Sequence, residues 1–457
     1  MPLPASERRA KLEFIKRNLE SKGTLPITWK STTPEALPFY SVPLSNLVWN
    51  RYNDRIAVQM LSDQAINGGY QAEYNETLEA KILDYIWDLN PEKNKQDLEH
   101  IKKNGQLIPG VVTADGVIVS GNRRAMLLKR AGIEFLKAVI LEDAYEDQPT
   151  EIQKLETLLQ FGEPNKADYE PLAKYLKYKK MRDAGLNSSQ IAEFMGEDVT
   201  KSKVEECLRI MDIMDDYLAN HLDAPGQYYL LKKADGRASQ EEAFIQLATT
   251  YHKIKEGKLS VSWAYDQDRD AIRYKTTMFN LIRSEAITNP QEWRLVGAPG
   301  KKEKTGGIES SPGIMGSKDI FESFVSKVKA SVKEADTETQ DLRTYKEREP
   351  NADLKDLHKK RESDWRSTRT EGKPIGKILT GAFNEARQRR QREVAERDPL
   401  VALKNIDGEL ISILGQEDWE DEAFVENEDA INLVRKISAA LEQIKKTMGL
   451  SKKLKND

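Results

Sequence analysis

The sequence predicts an α+β protein. A small mixed-sheet domain comes first, then a mostly α-helical region with a helix-turn-helix, then a helical C-terminal part. Three observations predict this. Between residues 39 and 141, short apolar runs bounded by turn residues alternate with helical patterns. Beyond residue 168 the apolar residues recur at helical spacing. Between these regimes, residues 117–128 read as a buried strand passing through Gly121 straight into a helix whose first turn carries Arg123 and Arg124. Arginine there is locally unfavourable, because the helix dipole already places positive charge at that end. Beside a turn glycine, the pair points to an anion site, phosphate first. The alternative is that both arginines face solvent.

Composition narrows the classes. With 457 residues the chain has room for two or three domains. A net charge of -4 gives no global basic field, so nucleic-acid contact would have to come from local patches. The single cysteine, Cys207, excludes an intramolecular disulfide and a cysteine-rich zinc site, and the four histidines show no metal-ligand spacing. There is no apolar run long enough to span a membrane and no apolar signal core near the start, so the expected location is the cytoplasm.

Residues 6–21 read as an amphipathic helix that docks on the following domain, with Leu12, Phe14, Ile15 and Leu19 apolar. Residues 39–44 open the sheet. Residues 50–55 form a polar turn ending in Arg55, favoured by local Asn and Asp side-chain bonds. Residues 63–74 read as a polar, glycine-containing insertion. Helices follow at 77–89 and 94–104, the second capped by Gly105. Residues 107–113 are a strand candidate, Asp115-Gly116 a hairpin turn, 117–120 the return strand, 122–131 a helix and 135–141 a last strand.

In this order, residues 39–143 resemble the N-terminal domain of the ParB/sulfiredoxin superfamily. The likeness rests on Val42-Pro43-Leu44 with the Asn50 to Arg55 turn, on Gly105 and Pro109 before Val111-Val112, and on the Gly-x-Arg-Arg box of Gly121, Arg123 and Arg124. The resemblance implies a nucleotide pocket formed by Arg55, Gly105, Pro109, Gly121, Asn122, Arg123 and Arg124, taking CTP or ATP, with or without Mg2+. Asn122 stands where sulfiredoxins have their nucleophilic cysteine, so sulfiredoxin chemistry is excluded. The family's downstream Glu-Asn-x-x-Arg box has no clean copy. Glu142, Asp143, Glu156 and Glu163 are the nearby carboxylates that a metal-dependent reaction could use.

Residues 171–184 form an amphipathic helix. A polar cap, the short helix of Ser188, Ser189 and Gln190, a turn at Gly196, and a second helix opening with Thr200, Lys201, Ser202 and Lys203 make a helix-turn-helix. Those residues suit phosphates and base edges in a major groove, and a helix-turn-helix in this place is also the family's order. The alternative is a packing element, since Glu205 and Glu206 would repel DNA. Cys207 reads as a buried residue of the second helix. Trp263, Tyr265 and Phe279 read as core.

Residues 297–317 read as a glycine-rich linker, 318–332 as a helix, and 336–373 as an exposed helix or partly disordered stretch. Arg387, Arg389, Arg390 and Arg392 lie on a helix starting near Ile375 and read as a solvated face rather than a nucleic-acid contact. Ala430, Val434, Ile437, Leu441, Ile444 and Met448 alternate spacings of four and three, a coiled-coil seam.

The domain division expected is 1–37 leader, 38–148 nucleotide-binding domain, 149–235 helix-turn-helix domain, 236–296 helical extension, 297–374 linker with one helix, and 375–457 C-terminal helices. By the resemblance, the chain is a nucleotide-responsive DNA-binding protein of bacterial, phage or plasmid origin. Its partners would be DNA, a second copy through the C-terminal helix, and a ParA-type ATPase. Two alternatives stand beside this. One is a ParB-like nuclease or nucleotide-dependent phosphotransferase or NTPase. The other is a non-catalytic adaptor with a partner in a phage-defence or mobile-element system.

Overall fold

Two bodies make up the fold, one built on a sheet and one on helices. The computed structural model describes residues 2–30, 33–67, 74–161, 171–196, 199–233, 240–297, 313–334, 342–370, 372–397, 403, 406 and 428–447. The sheet consists of β1 (Thr24–Ile27), β2 (Glu35–Pro43), β3 (Val48–Trp49), β4 (Gly110–Val112), β5 (Val117–Ser120) and β6 (Phe135–Ile140), in the order β1-β2-β6-β4-β5-β3. It is mixed: β4 runs parallel to β6 and β3 parallel to β5, while the other neighbours are antiparallel.

Strand alternation buries both faces. Val112, Ile118 and Ala138 face one core, which they share with α1 (Ala5–Asn18), α3 (Glu76–Asp88), α4 (Pro91–Asn104) and α5 (Asn122–Arg130). Val111, Val119 and Val139 face the other, where Ile152 and Leu155 of α6 (Pro149–Phe161) cover them. The N-terminal helix docks as expected, burying Leu12 and Ile15. The strand expected over 107–113 is shorter than the sequence suggested. Leu107 and Ile108 are exposed, and Pro109, which has no N–H to give a ladder, precedes β4.

Part of the expected polar insertion is a helix, α2 (Ala57–Ile66). Its polar residues conceal this from the sequence because they are buried and partnered. The Ser62 hydroxyl donates to the Val58 carbonyl at 2.6 Å and accepts from the Tyr229 amide at 2.8 Å. Asp63 pairs with Lys81 at 2.9 Å. Val58 and Ile66 of this helix belong to the core of the helical body, not to that of the sheet.

The helical body begins with α7 (Pro171–Asp183), α8 (Ser188–Met195) and α9 (Lys201–Asp216). It continues through α10 (Glu241–Lys255), α11 (Arg269–Ser284), α12 (Lys318–Glu334), α13 (Leu342–Arg348), α14 (Leu354–Ser367) and α15 (Ile375–Arg397). One apolar core joins residues from Leu172 to Ala386. Cys207 is buried within it, and burial pushes its thiol pKa up. Phe279 is buried, and Trp263 and Tyr265 pack against the same core, with the Trp263 indole donating to the Met315 carbonyl at 2.8 Å.

Three expectations are corrected here. Residues 342–367 are not an exposed stretch: Leu342, Leu354, Leu357 and Trp365 are core, because the many charges between them lie on the opposite faces of two short helices or are paired. The end of the expected 297–317 linker is a buried turn at Ile314–Gly316, while residues 298–312 lie outside those described. In the arginine run, Arg390 is not solvated. It is buried and donates to the Gly313 carbonyl at 3.1 Å, and Arg387 pairs with Glu292 at 2.6 Å.

The last described helix, α16 (Glu428–Thr447), keeps the amphipathic seam on display. Leu433 and Val434 are more than half exposed, and Ile437, Leu441 and Ile444 are partly so. Met448 of the expected seam lies outside the described residues. Among the described residues, no helix is long and apolar enough to cross a membrane.

Candidate functional site

The strand-turn-helix at Ser120–Arg124 is held by close backbone approach. Gly121 has φ +102, and a Cβ there would lie 3.4 Å from the Gly110 Cα. Only glycine takes this conformation without strain. Gly121 is the N-cap of α5 with no side-chain cap, and the first turn has no acidic residue. The first amides of α5 are therefore left without a helical partner at the positive end of its dipole.

That helix end opens into a cavity of about 430 Å³, within the range of small-ligand sites. Arg55, Gly105, Gly121, Asn122, Arg123 and Arg124 all line it, so six of the seven residues expected at the nucleotide pocket come together. The seventh, Pro109, lies beside it, and its carbonyl accepts from the Arg124 guanidinium at 2.9 Å. Arg124 also donates to the Ile108 carbonyl. Gly105, with φ +68, closes α4 by donating to the Ile101 carbonyl at 2.8 Å.

Asn122 lines the cavity and also fastens its rim. It is buried, donates to the Ile118 carbonyl at 2.8 Å and accepts from the Asn50 amide at 3.1 Å. These two bonds tie the Gly121 turn to the turn after β3. In that second turn, Asn53 accepts from the Arg55 amide at 2.9 Å and starts a short 3-10 turn. The turn brings Arg55 into the cavity with its Nε buried and without a hydrogen-bond partner in the structure.

The wall contributed by α4 was missed by sequence reasoning, which considered only its apolar positions. Asn90, Lys93, Asn94, Asp97 and His100 all line the cavity. The signal was present: Asn94, Asp97 and Ile101 follow helical spacing, which places them on one face. Asn94 is fully buried, and its side-chain N–H groups donate to the Trp87 carbonyl at 2.7 Å and the Ile86 carbonyl at 3.3 Å. Its oxygen then accepts from Arg123 Nε at 2.6 Å, while Arg123 also pairs with Asp97 at 2.7 Å. Four permanent cations, Arg55, Lys93, Arg123 and Arg124, thus share the cavity with one carboxylate, Asp97.

Behind the Asn50 turn lies a buried charged cluster. Lys177 of α7 pairs with Asp54 at 3.0 Å, and Glu156 of α6 accepts from the Asn50 amide group at 3.3 Å. Burial, reinforced by Asp54, pushes the Glu156 carboxyl up to about 8, against the pull of Lys177, Lys180 and Arg55. Of the other carboxylates considered from sequence, Asp143 pairs with Lys30 at 2.6 Å, and Glu163 lies outside the described residues.

The expected nucleic-acid residues sit on α8 and α9, which pack together as a helix-turn-helix. Asn187 caps α8 by accepting from the Ser189 and Gln190 amides at 3.0 Å, and Gln190 returns the contact by accepting from the Asn187 amide at 2.9 Å. The Gln190 side chain therefore serves a capping box. Ser189 is exposed and Ser188 half-buried. Thr200 caps α9 by accepting from the Lys203 amide at 3.2 Å. Lys201, Ser202 and Lys203 are exposed on its first turn, but Lys201 lies 3.7 Å from Glu205 and Lys203 2.9 Å from Glu206. The electrostatic field of this turn is consequently mixed rather than basic.

The fold and cavity define a class: a mixed-sheet domain with a cationic pocket at a strand-turn-helix, joined to a helical body that begins with a helix-turn-helix. The C-terminally truncated chromosome-partitioning protein ParB from Caulobacter crescentus, solved in complex with CTP-gamma-S, is similar in structure. The match has 18% identity and a TM-score of 0.16, and covers 46% of this chain and 98% of that one. No protein-family model matches the chain, and no curated protein matches it.

Proposed function

We propose that the chain is a nucleotide-responsive DNA-binding protein of the ParB-like kind, with a nucleotide in the cavity between the Gly105–Pro109 loop and the Gly121–Arg124 turn. The observation that carries this reading is the meeting of uncapped α5 amides with Arg55, Lys93, Arg123 and Arg124 in one cavity. A helix N-terminus ringed by guanidinium groups suits phosphate, which accepts charge-assisted bonds from both. CTP is the first ligand to test and ATP the second, following the family resemblance. Arg55 and Arg123 would bind phosphate oxygens, and Gly121 would let the backbone approach them. Arg124 would join them by exchanging its carbonyl contacts for phosphate.

A magnesium ion would accompany such a nucleotide through the phosphates. Among the described residues, no group of three or more His, Cys, Asp or Glu could hold a metal ion, and Glu156 is engaged with Asn50. DNA would meet Ser189, Thr200, Lys201, Ser202 and Lys203, and the exposed seam of α16 would pair with a second copy. The six-part domain division given above belongs to the same proposal.

The test is calorimetric titration of nucleotides, with and without magnesium, on wild type and Arg123→Ala. The expected result is binding by wild type and its loss in the variant, with the circular dichroism spectrum unchanged. Equal affinity in both would overturn the site.

A further inference from the structure

Arg123 is held in the cavity by two contacts of different character. Its Nε donates to Asn94 at 2.6 Å. Asn94 is wholly buried, and its own amide is pinned by the carbonyls of Ile86 and Trp87 at the end of α3. With both donors spent on those carbonyls, Asn94 can present only its oxygen to Arg123. The second contact is to Asp97 at 2.7 Å, where the Asp97 side chain is 42% exposed and is held by no other ion pair among the described residues. One contact is therefore fixed by burial, while the other joins a buried guanidinium nitrogen to a carboxylate that is part-exposed.

Resting on the nucleotide reading above, we propose that Asp97 is a specificity-determining residue, a resident carboxylate that occupies the anion position on Arg123 until a ligand phosphate takes its place. Asn94 keeps the guanidinium aimed while the exchange occurs. Asp97 does more than neutralise Arg123. Its charge sits on the Arg123 guanidinium and competes with an anion that reaches that group, so such a ligand must gain enough from Arg55, Lys93, Arg124 and the α5 amides to offset the displacement. A ligand whose phosphates do not reach Arg123 leaves the pair intact and meets no exchange.

The consequence is a graded signature. Replacing Asp97 by Asn keeps the shape and removes the competing charge. Affinity should then rise only for ligands long enough in phosphate to reach Arg123. A partly exposed ion pair contributes little, so the gain should be about 1.5–5-fold and should be the same for every ligand beyond that length. It should be absent for the bare nucleoside.

The experiment titrates full-length wild type and Asp97→Asn with a nucleoside and with its mono-, di- and triphosphate, using calorimetry. A step in the affinity gain at one phosphate number, with none for the nucleoside, is the expected result. Binding by wild type with no gain in Asp97→Asn, or with an equal gain for the nucleoside, overturns this inference and leaves the pocket standing. Absence of any nucleotide binding by wild type overturns the pocket and this inference together.

Discussion

At the scale of single residues, Glu362 is a costly group to disturb. It lies fully buried between Arg361, at 2.5 Å, and Arg283, at 3.5 Å, and both arginines are themselves buried. Burial opposes its ionisation, yet the two guanidinium groups hold its carboxyl down to about 2. Breaking such a site on one side leaves buried charge uncompensated, which costs about 3–5 kcal/mol. Glu362→Gln is expected to lose stability of that order in urea titrations. The sign of the pH dependence follows from the depressed value. The contribution is present above the ordinary carboxyl range and is lost as pH falls through it toward about 2. Acid sensitivity in that window should therefore flatten in the variant. Glu156 behaves in the opposite way. Its carboxyl is raised to about 8, so the protonated form favours the fold, and that advantage fades as pH rises from the ordinary glutamate value to about 8. Wild type should lose stability relative to Glu156→Gln across that interval; a constant difference would show that Glu156 ionises as it would in water. Neither residue's role could be read from sequence, because each depends on partners far along the chain.

At the scale of elements, the reading from sequence succeeded where local chemistry decides. Gly105 and Gly121 both adopt positive φ, and α5 begins one residue after Gly121. The hairpin at Gly116 stands where expected, and Asn187 supplies the polar cap expected before α8. It failed where a polar face is buried by something non-local. α4 was read for Leu98 and Ile101, yet Asn94, buried among backbone carbonyls, aims Arg123. The end of α2, residues 63–66, was read as part of a polar insertion because Asp63 finds its partner Lys81 only after folding. On α9 the exposed Lys201 and Lys203 each face a glutamate one turn along. If this turn touches DNA phosphates, Lys201→Ala with Lys203→Ala should lower affinity and reduce the salt slope by about two. A fluorescence-anisotropy titration at several salt concentrations checks this, and an unchanged slope would remove α9 from the interface.

For the whole molecule, the change from a mixed-sheet part to a helical part was visible in the switch of periodicity near residue 168, but the strand order, with β1 and β3 at its edges, was not. The extent of the helical core was not visible. Charged residues dominate residues 342–367, and their pairing and facing follow from tertiary packing rather than composition. At this scale α16 carries a prediction. Its exposed Val434, Ile437, Leu441 and Ile444 form one seam. Ile437→Asp with Leu441→Asp should convert the proposed dimer to a monomer in light-scattering measurements. The same mass for wild type and variant would count against pairing through this helix.

Helix α2 bears on how such a protein can be rebuilt by recombination. It leaves the sheet domain at residue 57, yet Val58 and Ile66 sit in the helical core and Ser62 receives the Tyr229 amide. Lys177 reaches back the other way to Asp54. Each body thus keeps part of its interior in a segment that the chain assigns to the other. The modules are not interchangeable cassettes: a sheet domain grafted from a relative without this helix would leave a hole in the recipient. A transplanted sheet domain that kept it would carry an apolar surface with nothing to cover it.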